Sequence, residues 1–250
     1  FYTIRLNAEN TLMACKSVFI NTQTGPYASS TITANSNKTA ITPKENIFEI
    51  DGKKYILLDT TNIQKSKFFV MEEAANETTN CFDSNEYGIK FDPENTNNIG
   101  YYLNNEYEIN QKILPYINQN NLWVTEAGYG DSHCPTDYVT KCGVNLLSVQ
   151  EWEKYSGKFG YKPNSKNITW WMRTPGTNIN TVRYVSHLTG NSLHTTTSGD
   201  VQRGIRPVYH LSRNFFKNVK PDVMGDNVKA SILSSYSAND LLSGGQYTKE

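Results

Sequence analysis

Long apolar runs, cysteine and charge of either sign are all scarce in this chain of 250 residues. No stretch approaches the ~18 consecutive apolar residues that a membrane helix needs, so direct membrane insertion is not expected. Lys+Arg and Asp+Glu number 24 each, for a formal net charge of +0. A balanced chain offers no basic footprint, and nucleic acid or anionic lipid is not expected as a partner. The 4 cysteines, at positions 15, 81, 134 and 142, are too few for a dense disulfide scaffold. Their even number permits a Cys134–Cys142 bridge across "CPTDYVTKC" and a Cys15–Cys81 bridge, with free, partly buried thiols as the alternative. There is no Gly-x-Ser-x-Gly elbow, no P-loop and no dinucleotide fingerprint, and no cofactor is expected.

What fills the chain instead is neutral polar and aromatic chemistry. Asn occurs 29 times, beside 16 Tyr, 10 Phe and 4 Trp. Those aromatics supply a core, so disorder is not predicted. The length suits one large domain, with or without appendages. The chain opens on Phe1 with neither an initiator Met nor a signal-peptide pattern, and is expected to be a piece of a longer protein.

Residues 1–44 read as a β-rich segment or the end of a preceding module, residues 45–213 as the main domain, and residues 214–250 as a helical extension anchored by Val228, Ile232, Leu241 and Leu242. "IFEIDGKKYILLD" predicts a hairpin turning at Asp51–Gly52. "KFFVMEEA" and "LWVTEAG" predict strands. Ile99, Leu103, Tyr107, Ile113 and Leu114 fall at helical spacing, ended or interrupted by Pro115. Ser148 and Glu151 fit a capping box, opening a helix that stops near Gly157 or Gly160. "TVRYVSHLTGNSLHTTT" predicts a hairpin turning at Thr189–Asn191, and "IRPVYHL" a closing strand with Pro207 at a strand end or beside a bulge.

Candidate chemistry concentrates between Trp170 and Pro207. Of the adjacent tryptophans Trp170 and Trp171, one is expected to face in and one out, as alternation on a strand requires. Arg173, Gly204 and Arg206 read as structural, because buried guanidinium groups tie loops to carbonyls and carboxylates. In the intervening ribbon Val182, Val185 and Leu188 are expected to pack inward. Asn178, Asn180, Arg183, Tyr184, His187, His194 and Arg203 are expected to face outward as a ligand-contacting surface. That composition resembles a binding loop: Tyr gives area at low entropic cost, and small polar residues give adaptable hydrogen bonds. An ordinary solvated hairpin is the competing reading. Other signals are thin. Asp131, Ser132 and His133 adjoin in sequence, whereas a triad needs convergence in space. His133, Cys134 and Cys142 match no common zinc spacing. Oxygen ligands for calcium exist at Asp92–Asn95. No metal is expected.

The segments Tyr55–Asp59, Tyr102–Tyr107, Leu146–Glu151, Trp170–Pro175 ("WWMRTP") and Gly204–Pro207 ("GIRP") together resemble a group of bacterial domains of unassigned function. The resemblance implies an α+β, C-type-lectin-like fold over about residues 45–213, followed by an extension of the kind found behind such domains on secreted bacterial proteins. It also implies kinship with retroelement-diversified variable domains and with formylglycine-generating enzymes. The former suggests an adhesion-type binder of a protein or glycan, extracellular or at the bacterial surface. The latter suggests an oxidase, which would need a reactive cysteine pair beside the substrate groove; no cysteine follows Cys142. A spacer module in a long surface protein is the third expectation.

Overall fold

The computed structural model describes residues 43–60, 67–72, 79–83, 90–127, 136–158, 169–185, 193–197 and 201–235. In chain order the strands are β1 (Ile47–Ile50), β2 (Lys53–Asp59), β3 (Lys67–Glu72), β4 (Thr79–Asn80), β5 (Asn121–Thr125), β6 (Tyr138–Cys142), β7 (Val144–Asn145), β8 (Trp170–Pro175), β9 (Thr181–Val185), β10 (Leu193–Thr197), β11 (Arg203–Gly204), β12 (Val208–Ser212) and β13 (Val223–Met224). The helices are α1 (Ile99–Tyr101, continued by a π turn over Tyr102–Glu106), α2 (Val149–Tyr155), α3 (Phe215–Asn218) and α4 (Asp226–Ser235). The architecture is mixed α+β.

A six-stranded sheet, ordered β13-β1-β2-β3-β12-β7, carries much of the core. Its first hairpin turns where the sequence predicts. Asp51 and Gly52 both take positive φ, 53° and 76°, as the tight turn that matches strand twist requires. Only glycine reaches that region without penalty, which fixes the residue at position 52. Phe48 of β1 stacks on Tyr55 of β2, and Phe216 meets both Phe48 and Phe68 edge-on. One carboxylate lies inside this apolar sheet. Glu72 is 2% exposed, and it accepts the hydroxyls of Tyr107 at 2.6 Å and Tyr209 at 3.1 Å, with the Lys53 ammonium at 3.3 Å. A buried charge survives only when paired and hydrogen-bonded; here the pairing ties β2, β3, β12 and the exit of α1 together. The same arrangement buries the Tyr107 and Tyr209 hydroxyls beside a negative charge, and both pKa values rise.

The apolar spacing from Ile99 to Leu114 does not form one long helix. The α-helical turn gives way to the π turn and ends at Glu106. Leu114–Tyr116 is a separate 3-10 turn, with Pro115 inside it. Asn104 explains part of the early end. Its side chain bonds the carbonyls of Gly100 and Val144 and accepts the Val144 amide, tying the helix to β7. Ile113 is fully buried all the same, reached through a turn rather than a helical face.

The second sheet, of five strands, has the order β10-β9-β8-β11-β4. β9 pairs antiparallel with β10 in register from Thr181↔Thr197 to Val185↔Leu193, so the predicted hairpin is present. Its turn lies outside the described residues, as do residues 1–42. Pro207 directly precedes β12, where its missing N–H costs no ladder bond. The tail does not stand apart. Phe215, Phe216, Val228 and Ile232 are fully buried, and β13 pairs with β1. Packing therefore continues past position 213 to at least Ile232, and of the expected extension α4 is helical over Asp226–Ser235.

Candidate functional site

The ribbon between the tryptophan pair and Gly-Ile-Arg-Pro is built from its two ends. At the first end, β8 is buried at every position, so the expected in-and-out placement of the tryptophans fails. Trp170 packs edge-on against Trp152 of α2, with ring centroids 5.6 Å apart. Trp171 packs against Phe82 on the opposite side, also at 5.6 Å, and its indole N–H donates to the Asn80 carbonyl at 2.8 Å. They do point to opposite faces; both faces are covered.

Arg173 is the hub of this end and is 1% exposed. Its Nε donates to Thr125 Oγ1 at 3.0 Å. One terminal nitrogen donates to the Leu146 carbonyl at 2.6 Å, the other to the Val124 carbonyl at 2.8 Å, and both reach the Glu151 carboxylate. Glu151 also closes the capping box with Ser148: Ser148 Oγ accepts the Glu151 amide at 3.1 Å, and the carboxylate accepts the Ser148 amide at 2.9 Å. Burial alone disfavours the charged guanidinium, but the Glu151 carboxylate outweighs it and the Arg173 pKa moves up. A single side chain thus joins β5, β8 and the start of α2.

The other end is closed by backbone. Gly204 pairs parallel with Trp170 and antiparallel with Thr79, and its amide donates to the Thr169 carbonyl at 2.8 Å. Arg206 lies over the Trp170 ring at 4.7 Å. The Pro207 carbonyl accepts the Glu72 amide at 3.0 Å, which hands the chain to the first sheet.

Between these supports the chain turns outward. Gly176 donates to the Thr181 carbonyl at 2.7 Å, and Thr181 returns a bond to the Asn178 carbonyl. A Cβ at position 176 would sit 2.3 Å from Thr181 Oγ1, so the turn closes only on glycine. The turn presents Asn178, exposed, with Asn180 half-buried beside it. Ile179, absent from the predicted set, is 53% exposed at its apex. The Arg203 guanidinium lies 3.7 Å from the centre of the Tyr184 ring and 5.5 Å from that of Trp171, and donates to Thr169 Oγ1 at 2.8 Å. Burial lowers the Arg203 pKa, with the Tyr184 hydroxyl opposing.

Arg183 departs from expectation: it is 8% exposed, so it does not face outward. His194 holds the register position opposite Tyr184. His187 lies outside the described residues. The structure therefore brings Tyr184 and Arg203 together, leaves Asn178 and Asn180 at the turn that enters β9, and buries Arg183.

A second concavity escaped the sequence altogether. A groove of about 330 Å³ runs between β5 and α2. His210 of β12 forms its floor, stacked on Phe69 at 4.7 Å and tilted against Trp123 at 4.9 Å. Leu122 and Val124, 65% and 43% exposed, line one side, and Gln150 and Lys154 the other. The alternation in "LWV" was the available signal.

The Cys142 thiol is free, buried and donates to the Val144 carbonyl at 3.2 Å, so it forms no bridge to Cys134. Burial pushes its pKa up to about 12. The half-exposed Cys81 is also free, so it forms no bridge to Cys15. The Asp92–Asn95 oxygens are engaged locally: Asp92 Oδ1 accepts the Glu94 amide at 2.8 Å and Asn95 Oδ1 the Asn97 amide at 3.0 Å. Among the described residues no three His, Cys, Asp or Glu side chains gather as a metal would require, and His133 and Cys134 lie outside them.

Comparison with known proteins finds no matching family model, no similar curated protein and no similar solved structure.

Proposed function

We propose that the chain is a non-catalytic recognition domain of C-type-lectin-like architecture, from a secreted or surface-attached bacterial protein. It binds a protein or glycan through the face around Tyr184 and Arg203. One observation carries the reading: the Arg203 guanidinium lies over the Tyr184 ring, 3.7 Å from its centre, and 5.5 Å from the centre of the fully buried Trp171. A cation fixed on an aromatic ring is a pre-organised contact, since little side-chain entropy remains to be lost on binding. The supports on either side do not depend on the ribbon's own side chains. The first rests on the Arg173–Glu151 pair, the second on the backbone of Gly204 and Pro207. Surface residues carried on such a frame can change without unfolding it.

The return of β12 beside β3, in the sheet of the β1–β2 hairpin, suits the architecture, as does the placement of the ribbon in a second sheet. The oxidase alternative needs an accessible thiolate. Cys142 is held protonated by burial, which weighs against thiolate chemistry at that position.

The test is binding to immobilised glycan and protein arrays by the wild-type chain and by a Tyr184→Ala variant of unchanged circular dichroism. A ligand retained by the first and lost by the second is expected. Equal retention by both removes this face from the account.

A further inference from the structure

Among the described residues β5 and β6 pair only with each other, as a two-stranded ribbon outside both larger sheets. One face of the ribbon is buried: Asn121, Trp123 and Thr125 of β5, with Thr140 and Cys142 of β6. The other face meets solvent. Directly paired residues of an antiparallel ladder share a face, and the register sets Leu122 beside Lys141 and Val124 beside Val139. Leu122, Val139 and Val124 are 65%, 57% and 43% exposed. Apolar residues scattered singly on a surface are ordinary, whereas three gathered on one short ribbon mark an interaction surface.

The ribbon is a firm platform. The Trp123 indole N–H donates to the Cys142 carbonyl at 3.0 Å, across the two strands. Arg173 anchors β5 through the Val124 carbonyl and Thr125 Oγ1.

The two ends of the outer face carry opposite charge. Lys141, exposed, stands beside Leu122 at one end. Glu126 follows β5 at the other end, half-buried, and lines the groove with Leu122 and Val124. Asp137, exposed just before β6, adds a second carboxylate there, and its Oδ1 accepts the Ala127 amide at 2.7 Å. Neither the Lys141 nor the Glu126 side chain has an ion-pair partner among the described residues. Glu126 acts through space on the buried Arg173, but that guanidinium is already bonded to Glu151.

We propose that this face is a contact between two copies of the chain, related by a two-fold axis that lies between the faces and across the strands. A surface that is apolar in the middle, basic at one end and acidic at the other is complementary to itself under such an axis. Lys141 of each copy meets the acidic end, Glu126 and Asp137, of the other, and the valines pack on valines. The face is about 17 Å long and two strands wide. That is well below the ~800 Å² each partner gives to a standard interface, so the dimer is weak, with a dissociation constant of about 0.1 mM. The inference is independent of the Tyr184 reading.

Sedimentation equilibrium of the full chain, from about 10 µM to about 500 µM, brackets that constant. A monomer–dimer equilibrium that weakens as salt rises is expected. Val139→Asp, a charge set in the apolar middle, should abolish it. Lys141→Glu should weaken the dimer about tenfold or more, and Glu126→Lys about threefold or more. The two reversed chains mixed should pair more tightly than either does alone, because one end of the mixed dimer regains its native charges. Lys229→Gln, on α4 in an exposed pair with Asp226, should leave the equilibrium unchanged. Variants are compared at unchanged circular dichroism. If Glu126→Lys does not fold, Lys141→Gln takes its place, with an expected loss of about threefold. A chain monomeric throughout, its ribbon then open to a different protein, overturns the proposal. So does a dimer indifferent to Val139→Asp and the charge variants, or a mixture no tighter than its parts.

Discussion

Replacing Arg173 with lysine should be among the costliest conservative changes this chain can suffer. Arginine presents five N–H donors in a plane, and here they serve Thr125, Leu146, Val124 and both oxygens of Glu151. Lysine offers three donors on one nitrogen, and they cannot span acceptors on β5, on α2 and before it. At least two buried acceptors lose their partner, at about 1–3 kcal/mol each. Glu151 keeps some solvent contact, with its side chain 22% exposed, which softens the loss of its ion pair. The expected destabilisation is about 3–5 kcal/mol, the range for breaking a buried pair. Urea denaturation followed by circular dichroism measures it. With a slope of about 2–3 kcal/mol per molar, the midpoint should fall by about 1–2.5 M. Arg173→Met paired with Glu151→Gln should recover part of the loss, because no unpaired charge remains. A lysine variant within about 1 kcal/mol of wild type would refute the idea that this one side chain joins the three elements.

Three further outcomes follow from the same geometry. Gly176→Ala should cost about 1–3 kcal/mol in the same assay, since the added carbon meets Thr181 Oγ1 at 2.3 Å. Ile179→Ser, at an exposed turn position, should stay within about 0.5 kcal/mol of wild type; a larger loss would mean the turn is packed rather than displayed. Cys142 should resist thiol reagents at pH 8 in the native chain and react once urea unfolds it, as peptide mapping will read. Because its folded pKa lies near 12, above the ordinary thiol value, the unfolded chain loses this proton first as pH rises. Stability attributable to Cys142 is therefore intact below about pH 9 and falls between about pH 9 and 12. Cys142→Ala should remove that part of the alkaline decline.

How much could be read in advance depended on whether the cause was local. Asp51–Gly52 and the Ser148–Glu151 cap are short-range chemistry, and the structure places both where residue pattern alone does. The run from Ile99 to Leu114 misled because buried apolar spacing is shared by a helix and by a turn that doubles back. Asn104, bonded to the distant Val144, is part of what selects between them. The tryptophan pair misled for a related reason: alternation gives two faces but not which of them is covered, and Phe82 and Trp152 supply the cover from elsewhere in the chain. Arg183 was misassigned by the same gap, since alternation does not tell that its side of β9 is covered. At the candidate site, the Tyr184–Arg203 stack joins residues nineteen apart through β8, and no local pattern encodes it. The groove with His210 in its lining draws on β3, β5, α2 and β12, and the alternation in "LWV" marks only one of those elements.

Hydrogen–deuterium exchange of the full chain, with and without the ligand selected on the arrays, tests most directly where recognition occurs. Added protection confined to 176–185 and 201–204 is the predicted result. Protection at the groove of Leu122, Gln150 and His210, with the Tyr184 strand unchanged, would contradict it.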